Sequence, residues 1–319
     1  TSRGLGDVYK RQGYDQKDDW SDITNLYSGL NQLEPGRIMW EPNSDLNKYG
    51  TPMVLMTIPM FTNHESIEGL YFDSSITTPF HFVTVSGVAE SPSNPVGGLS
   101  YINGDFDRGV RYMKELGVDY FISYTDSITE KAIMSDELEN LFQSSPFTVF
   151  KIYSDKVQVV DTELVNFSQP ELFERISNSI FRQEKTDSFF GLAMKEFKLD
   201  NKKRIIEGID VEESQIQNRL SNKKSEINNV RISNNKITFE TEHPNELHIV
   251  KVSYFPNWKI ENGSGPYRLS PSFMGVIPYS NEVSITFENT SLEKSLNIIS
   301  LIIFLLTAYL LVFRIKKYA

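Results

Sequence analysis

Eight residues between positions 37 and 81 have the types that hold a sugar: Arg37, Trp40, Glu41, His64, Glu68, Tyr71, Asp73 and His81. Aromatic faces pack on the C–H surface of a pyranose, while carboxylates, guanidinium and imidazole exchange hydrogen bonds with its hydroxyls, so the set suits a glycan-facing surface. The competing reading makes Trp40 and Tyr71 core aromatics and leaves the charges to solvent. Two further groupings have metal-ligand types. Asp105-Phe-Asp107 has the D-x-D form in which two carboxylates can share a divalent ion, but two acids at a helix start also complement the macrodipole. His243, Glu246 and His248 offer three ligand types in a short run; in a strand His248 and Glu246 share one face and His243 points away. Neither grouping is expected to hold a metal. His64 and His81 have no serine or cysteine nucleophile at a recognisable spacing, and no glycine-rich phosphate cradle precedes a helix. The chain is therefore not expected to be a self-sufficient enzyme, its catalytic residues are unassigned, and no cofactor is implied.

Composition narrows the classes further. In 319 residues, 42 acidic against 32 basic side chains leave a net charge of −10, which argues against nucleic acid as a partner, since that affinity comes from clustered Lys and Arg neutralising phosphates. Hydrophobic residues at 39% are enough for a substantial core, and the length suggests two folded domains. The absence of cysteine removes disulfides, thiolate nucleophiles and Cys-ligated metal sites together.

The elements that must position the candidate residues fall into three stretches. Residues 13–163 mix helix and strand signals and predict an α/β or α+β domain. Within it Asp105 can cap a helix whose apolar residues Phe106, Val110, Met113 and Leu116 recur at helical spacing, Gly117 suits a left-handed stop, and Val118–Ser123 reads as a buried strand. Phe147–Tyr153 and Lys156–Val160, parted by Ser154 and Asp155, predict a hairpin. Met53–Met60 is apolar but too short to span a membrane, and is expected in the core. Residues 164–229 predict a charged helical connector, opened by the capping box Ser168-Gln-Pro-Glu171. Its basic run Lys202-Lys-Arg204 either forms a solvated face or touches anionic lipid. Residues 230–288 alternate as strands do, in six short runs with corners at Asn234-Asn235 and Asn262-Gly263, and predict a small all-β sandwich or jelly-roll-like module in which Trp258 and Phe273 share one core.

The carboxyl end differs in kind. Leu296–Phe313 carries no charge, and as a helix it rises roughly 27 Å, close to the hydrocarbon thickness of a bilayer. A transmembrane helix over 296–313 is expected, with a cytoplasmic tail at 314–319, because Arg314, Lys316 and Lys317 follow at once and positive charge stays inside. The bulk of the chain is then extracytoplasmic, held at the cell membrane, with the lipid bilayer as a partner. Residues 1–12 are expected to be an assembly or linker remnant. An exported domain needs an export signal, so the sequence is expected to be the C-terminal part of a longer membrane protein.

The run Val252-Ser-Tyr-Phe-Pro-Asn-Trp258, then Tyr267-Arg268, Ser270-Pro271 and Phe273-Met-Gly-Val276 leading into the terminal span, resembles the end of large bacterial polytopic membrane proteins of GT-C-type glycosyltransferase architecture, including those described as related to 6-pyruvoyl-tetrahydropterin synthase. Pro59–Ser75 and Gly109–Thr125 are similar to the large extracytoplasmic domain of such proteins. The resemblance implies sugar transfer from a lipid-linked donor, with the catalytic acid on an early outer loop that does not lie in this sequence, so no catalytic residue is carried over. It predicts an accessory, acceptor-positioning role toward a polyprenyl-linked sugar or cell-envelope glycan; the alternative is a non-catalytic, membrane-tethered glycan-binding or envelope-assembly module.

Overall fold

Three short apolar runs, RIMW, YFIS and FTVF, are buried almost without interruption, the pattern of strands covered on both faces rather than one. The computed structural model, which describes residues 17, 19–69, 77–97, 99–167, 203–207 and 227–318, makes them the centre of a mixed sheet. Strand β1 (Arg37–Trp40) lies parallel to β2 (Glu65–Ser66) on one side and to β3 (Tyr120–Ser123) on the other, with Trp40 opposite Ile122. Beyond β3 the sheet turns antiparallel, through β5 (Phe147–Ile152) to β4 (Leu138–Ser144). The hairpin therefore runs β4 to β5, not from Phe147–Tyr153 to Lys156–Val160 as the spacing predicts. Both edges of β5 are taken by β3 and β4, and Val157–Val159 (β6) pairs instead with a strand of the second unit described below.

Helices α1 (Trp20–Leu30), α2 (Ile58–Phe61), α3 (Thr78–Val88), α4 (Phe106–Glu115) and α5 (Asp126–Met134) accompany this sheet. Helix α4 forms as its sequence predicts: the Asp105 carboxylate accepts from Arg108 N at 3.2 Å, Phe106, Val110 and Met113 are buried, and Gly117 closes the end at φ +69°. Helix α3 is buried along nearly all of its length, with His81, Thr84 and Ser86 buried among its apolar residues. It meets α4 at a glycine pair; a Cβ on Gly109 would lie 2.6 Å from Val88 Cγ1, and one on Gly87 2.8 Å from the Asp105 carbonyl, so neither position accepts a side chain without separating the helices. Of Met53–Met60, Val54, Leu55 and Ile58 enter the core, whereas Met53 and Met60 are exposed.

Within the stretch read as a helical connector, Glu163–Phe167 (β7) and Lys203–Glu207 (β8) are parallel strands, Leu164 opposite Arg204. Its capping box lies outside the described residues. Arg204 forms neither a solvated nor a lipid-facing charge: it is 4% exposed, with Nη2 2.7 Å from Glu115 Oε2 and Nη1 3.2 Å from the Ser270 carbonyl. A guanidinium buried this deeply needs such partners.

The described residues group into an α/β unit drawn from Thr1–Lys156, Thr162–Gly208 and Ser270–Ser272, and a β unit drawn from Val157–Asp161, Ile209–Leu269 and Phe273–Ala319. The β unit has strands β9 (Ile227–Ile232), β10 (Lys236–Thr241), β11 (His248–Ser253), β12 (Trp258–Ile260), β13 (Gly263–Leu269), β14 (Phe273–Pro278) and β15 (Glu282–Phe287). They form two antiparallel arrays, β12-β15-β10-β9 and β6-β11-β14-β13. Ile237, Phe239, Trp258, Val283 and Ile285 of the first share one apolar cluster with Val157, Val250, Met274 and Val276 of the second. Asn234-Asn235 makes the expected corner, closed by Ser233 N donating to Lys236 O at 2.9 Å. Strand β13 has no counterpart in the sequence reading, because Gly263, Gly265 and Pro266 carry turn chemistry. Phe273 is buried but is not in the cluster of Trp258; its neighbour Met274 is, since successive strand side chains point to opposite faces.

A final helix, α6 (Ser291–Tyr318), follows β15. Over Ser291–Leu310 it is long and apolar enough to cross a membrane, and none of that stretch is buried in protein. Thr290 and Glu293 form the capping box at its start: Glu293 N donates to Thr290 Oγ1 at 3.2 Å and Thr290 N to Glu293 Oε2 at 2.6 Å.

Candidate functional site

Of the eight residues with sugar-binding types, the six that the structure describes do not converge on one surface. Arg37 opens β1, Trp40 ends it and Glu41 follows, so the strand itself separates them. Trp40 is 2% exposed and belongs to the core with Ile38, Tyr49, Tyr120 and Ile122. His64 is buried edge-on to Tyr120; Gly36 N lies 3.2 Å from its Nδ1, and its Nε2 lies 2.8 Å from the Leu30 carbonyl. His81 lies in α3, buried, with Nε2 3.4 Å from Glu68 Oε2. Tyr71 and Asp73 lie outside the described residues. Trp40, Glu41, His64 and His81 thus face the interior and offer no face to a glycan.

The sheet instead carries two polar groups at opposite ends of its parallel strands. At the amino ends, Asp119 Oδ2 accepts from Arg37 N at 2.7 Å and pairs with Lys156 Nζ at 2.7 Å. Lys156 also donates to the Gly117 carbonyl, and Arg37 reaches Leu116 O at 2.8 Å and Glu65 Oε2 at 3.5 Å. Burial, then the Arg37 charge, lowers the Lys156 amine to about 8 against the opposing pull of Asp119. These charges are matched to one another and to carbonyls, which makes this end a clamp.

At the carboxyl ends the chemistry is different. Glu41, fully buried, accepts from Tyr124 N at 2.8 Å, Thr125 N at 2.9 Å, Thr125 Oγ1 at 2.8 Å and Glu90 N at 3.3 Å. Backbone donors of this kind compensate a buried carboxylate. They also fix the turn that follows β3, where Thr125 caps α5 by accepting from Ile128 N. The ring of Tyr124, half-buried, packs on Phe147 at 5.6 Å, and burial, then the carboxylates of Asp45, Asp22, Glu41 and Asp19, raises its phenol. Tyr49 donates to Asp22 Oδ2 at 2.8 Å, and Lys48 sits 4.7 Å over the Tyr49 ring and 3.9 Å from the same carboxylate. A half-exposed aromatic face among hydroxyls, carboxylates and one ammonium is an arrangement that can hold a polyhydroxylated ligand.

The sequence reading contains Glu41 but not Tyr124, Asp22, Asp45, Lys48 or Tyr49. The available signal was positional: Glu41 directly follows Ile38–Trp40 and Tyr124 follows Tyr120–Ser123, short runs read for their apolar residues, and residues at the carboxyl ends of parallel strands form the ligand crevice of open α/β sheets.

The two metal-type groupings have other work. Asp105 caps α4. His243 and Glu246 lie in a turn with Asn245 at φ +66°, and His248 opens β11; His243 Nδ1 is 3.5 Å from Glu246 Oε1, while the buried His248 donates from Nδ1 to Glu246 O at 2.9 Å and accepts at Nε2 from Thr241 Oγ1 at 2.7 Å. Among the described residues no cluster of three or more His, Asp or Glu is arranged to hold a metal ion. Compared with protein-family models, curated proteins and solved structures, the chain matches none.

Proposed function

We propose that this chain is the membrane-tethered, extracytoplasmic acceptor-positioning part of a glycosyltransferase-like protein that draws on a lipid-linked sugar, and that it holds its glycan at the carboxyl edge of the α/β sheet. One observation carries the reading: Tyr124, half-buried against Phe147 and held by its N–H to the buried Glu41 carboxylate, directly follows β3, where open α/β sheets bind ligands. The apolar helix α6 supports the tether, and Arg314, Lys316 and Lys317 behind it support a cytoplasmic carboxyl terminus. The run Val252–Trp258 with its continuation to Val276 supports the transferase context by resemblance. A second reading, a non-catalytic tethered glycan-binding or envelope-assembly module, is favoured by the commitment of Glu41 and His64 to hydrogen bonds, which leaves neither free to move a proton.

Saturation-transfer NMR on the full chain in detergent micelles, screened against cell-envelope oligosaccharides, tests the binding. The affinity expected of a shallow face is millimolar to high micromolar, about 4 to 6 kcal/mol. Tyr124→Ala abolishes the signal if the edge is the site, and an unchanged signal refutes it. Adding a polyprenyl-linked sugar to the same sample separates the two readings, since net transfer belongs only to the first.

A further inference from the structure

The β unit and α6 are joined by more than the chain. Asn257, in the turn between β11 and β12, donates from Nδ2 to the Glu288 carbonyl at 3.1 Å and to Glu293 Oε2 at 2.8 Å. Glu288 N donates back to Asn257 O at 2.9 Å, and Lys259 and Lys294 reach the Glu288 carboxylate at 3.4 and 3.8 Å. The turn Tyr254–Asn257 is therefore fastened to the first turn of α6, by the same carboxylate that closes the helix's capping box.

That fastening fixes the turn's height against a bilayer. Helix α6 has 28 residues, about 42 Å, whereas the hydrocarbon core is about 30 Å thick. Centring the uncharged Leu296–Phe313 in the hydrocarbon leaves Ser291–Ser295, with Glu293 and Lys294, in the headgroup layer, which adds roughly 5 to 7 Å on each side. Phe255, two residues from Asn257, is 54% exposed, and Phe287 and Leu292 beside the same junction are 40% and 69% exposed. Water exposure of three large apolar side chains at this one level is costly, and the interfacial layer is where aromatic side chains settle.

We propose that the Tyr254–Asn257 turn is an interfacial anchor: Phe255, with Phe287 and Leu292, dips into the lipid headgroup layer, and the Asn257–Glu293 bond holds the β unit at a fixed attitude on the membrane. The partner is a lipid surface recognised by its apolar depth, not its charge. Glu288 and Glu293 balance Lys259 and Lys294 around the junction, so zwitterionic lipid suffices and added salt leaves the docking intact. The proposal rests on the spanning reading of α6, and its test keeps the two apart.

The chain has no cysteine, so single cysteines can be labelled cleanly. Nitroxides on Phe255→Cys, Asn281→Cys and Leu305→Cys, each in the full chain reconstituted into phosphatidylcholine vesicles, report depth through collision with oxygen, which concentrates in lipid, against a nickel chelate, which stays in water. Asn281 is at the far end of β15, roughly 20 Å from Phe287. The expected result is a several-fold higher oxygen-to-nickel ratio at 255 than at 281, the highest ratio at 305, no change with anionic lipid or salt, and a drop at 255 alone when Asn257→Ala removes the bond to α6. An aqueous ratio at 255 with a lipid ratio at 305 overturns the anchor and leaves the span standing. An aqueous ratio at 305 overturns both. A ratio at 255 that ignores Asn257→Ala overturns the clamp, and one that rises only with anionic lipid replaces apolar docking by electrostatic attraction.

Discussion

The two ends of the parallel strands use similar residues to opposite effect. At the amino ends Asp119, Arg37 and Lys156 satisfy one another, and the Lys156 amine is lowered by burial and then by the Arg37 charge. At the carboxyl ends Glu41 is satisfied by main-chain donors from two loops, and Asp22 accepts from Tyr49 with Lys48 beside it. A charge paired with a charge is finished chemically. A carboxylate anchored by backbone instead shapes the loops around it and leaves neighbouring side chains facing outward, so the second arrangement supports a site and the first a lock.

Removing Glu41 should give the largest effect. Glu41→Ala leaves three backbone donors and a hydroxyl without their acceptor, and is expected to destabilise the α/β unit by about 3–5 kcal/mol in denaturant melts, more than any single change at the amino ends. Next comes a reference from the β unit, whose buried titratable group is neutral. Burial lowers His248 to about 4 in the folded chain, below the ordinary histidine value of 6.5, so the unfolded chain takes the proton first. Its contribution is complete above about pH 6.5 and is lost as pH falls through that value toward 4, by about 3 kcal/mol; the pH slope of the β unit's melting should flatten in His248→Gln. Asp119→Ala should cost about 2–3 kcal/mol, since Lys156 keeps the Gly117 carbonyl while Arg37 N loses its acceptor. The smallest change is spectroscopic: Arg37→Gln should move the Lys156 amine upward from about 8 in an NMR titration, with little change in melting. An amine that stays put would mean the amino-end charges act independently.

These contrasts mark where the sequence was informative. Helix α4 was legible to the residue because Asp105 and Gly117 are local signals. Strands β10 and β15 were legible because their burial alternates residue by residue, whereas β13 was not, because its glycines and proline carry turn chemistry. Strand β1 was not, since four residues buried almost throughout have no alternation, and β6 was assigned to the wrong partner because pairing depends on which edge is free rather than on the nearest turn. Glu41 was selected for its type, yet its role comes from Tyr124, Thr125 and Glu90, which only the sheet brings to it. Arg204 reads as one charge in a basic run, and nothing local predicts that Glu115 and the Ser270 carbonyl enclose it.

The most direct measurement is a paired titration of one envelope oligosaccharide into the full chain, carried through Tyr124→Ala and Asp22→Asn at the carboxyl edge and Arg37→Gln at the amino edge. Weak binding by the unmodified chain that is lost in Tyr124→Ala, weakened in Asp22→Asn and unaltered in Arg37→Gln is the predicted result. Binding that survives both carboxyl-edge changes, or that disappears only with Arg37, would contradict the assignment of the site.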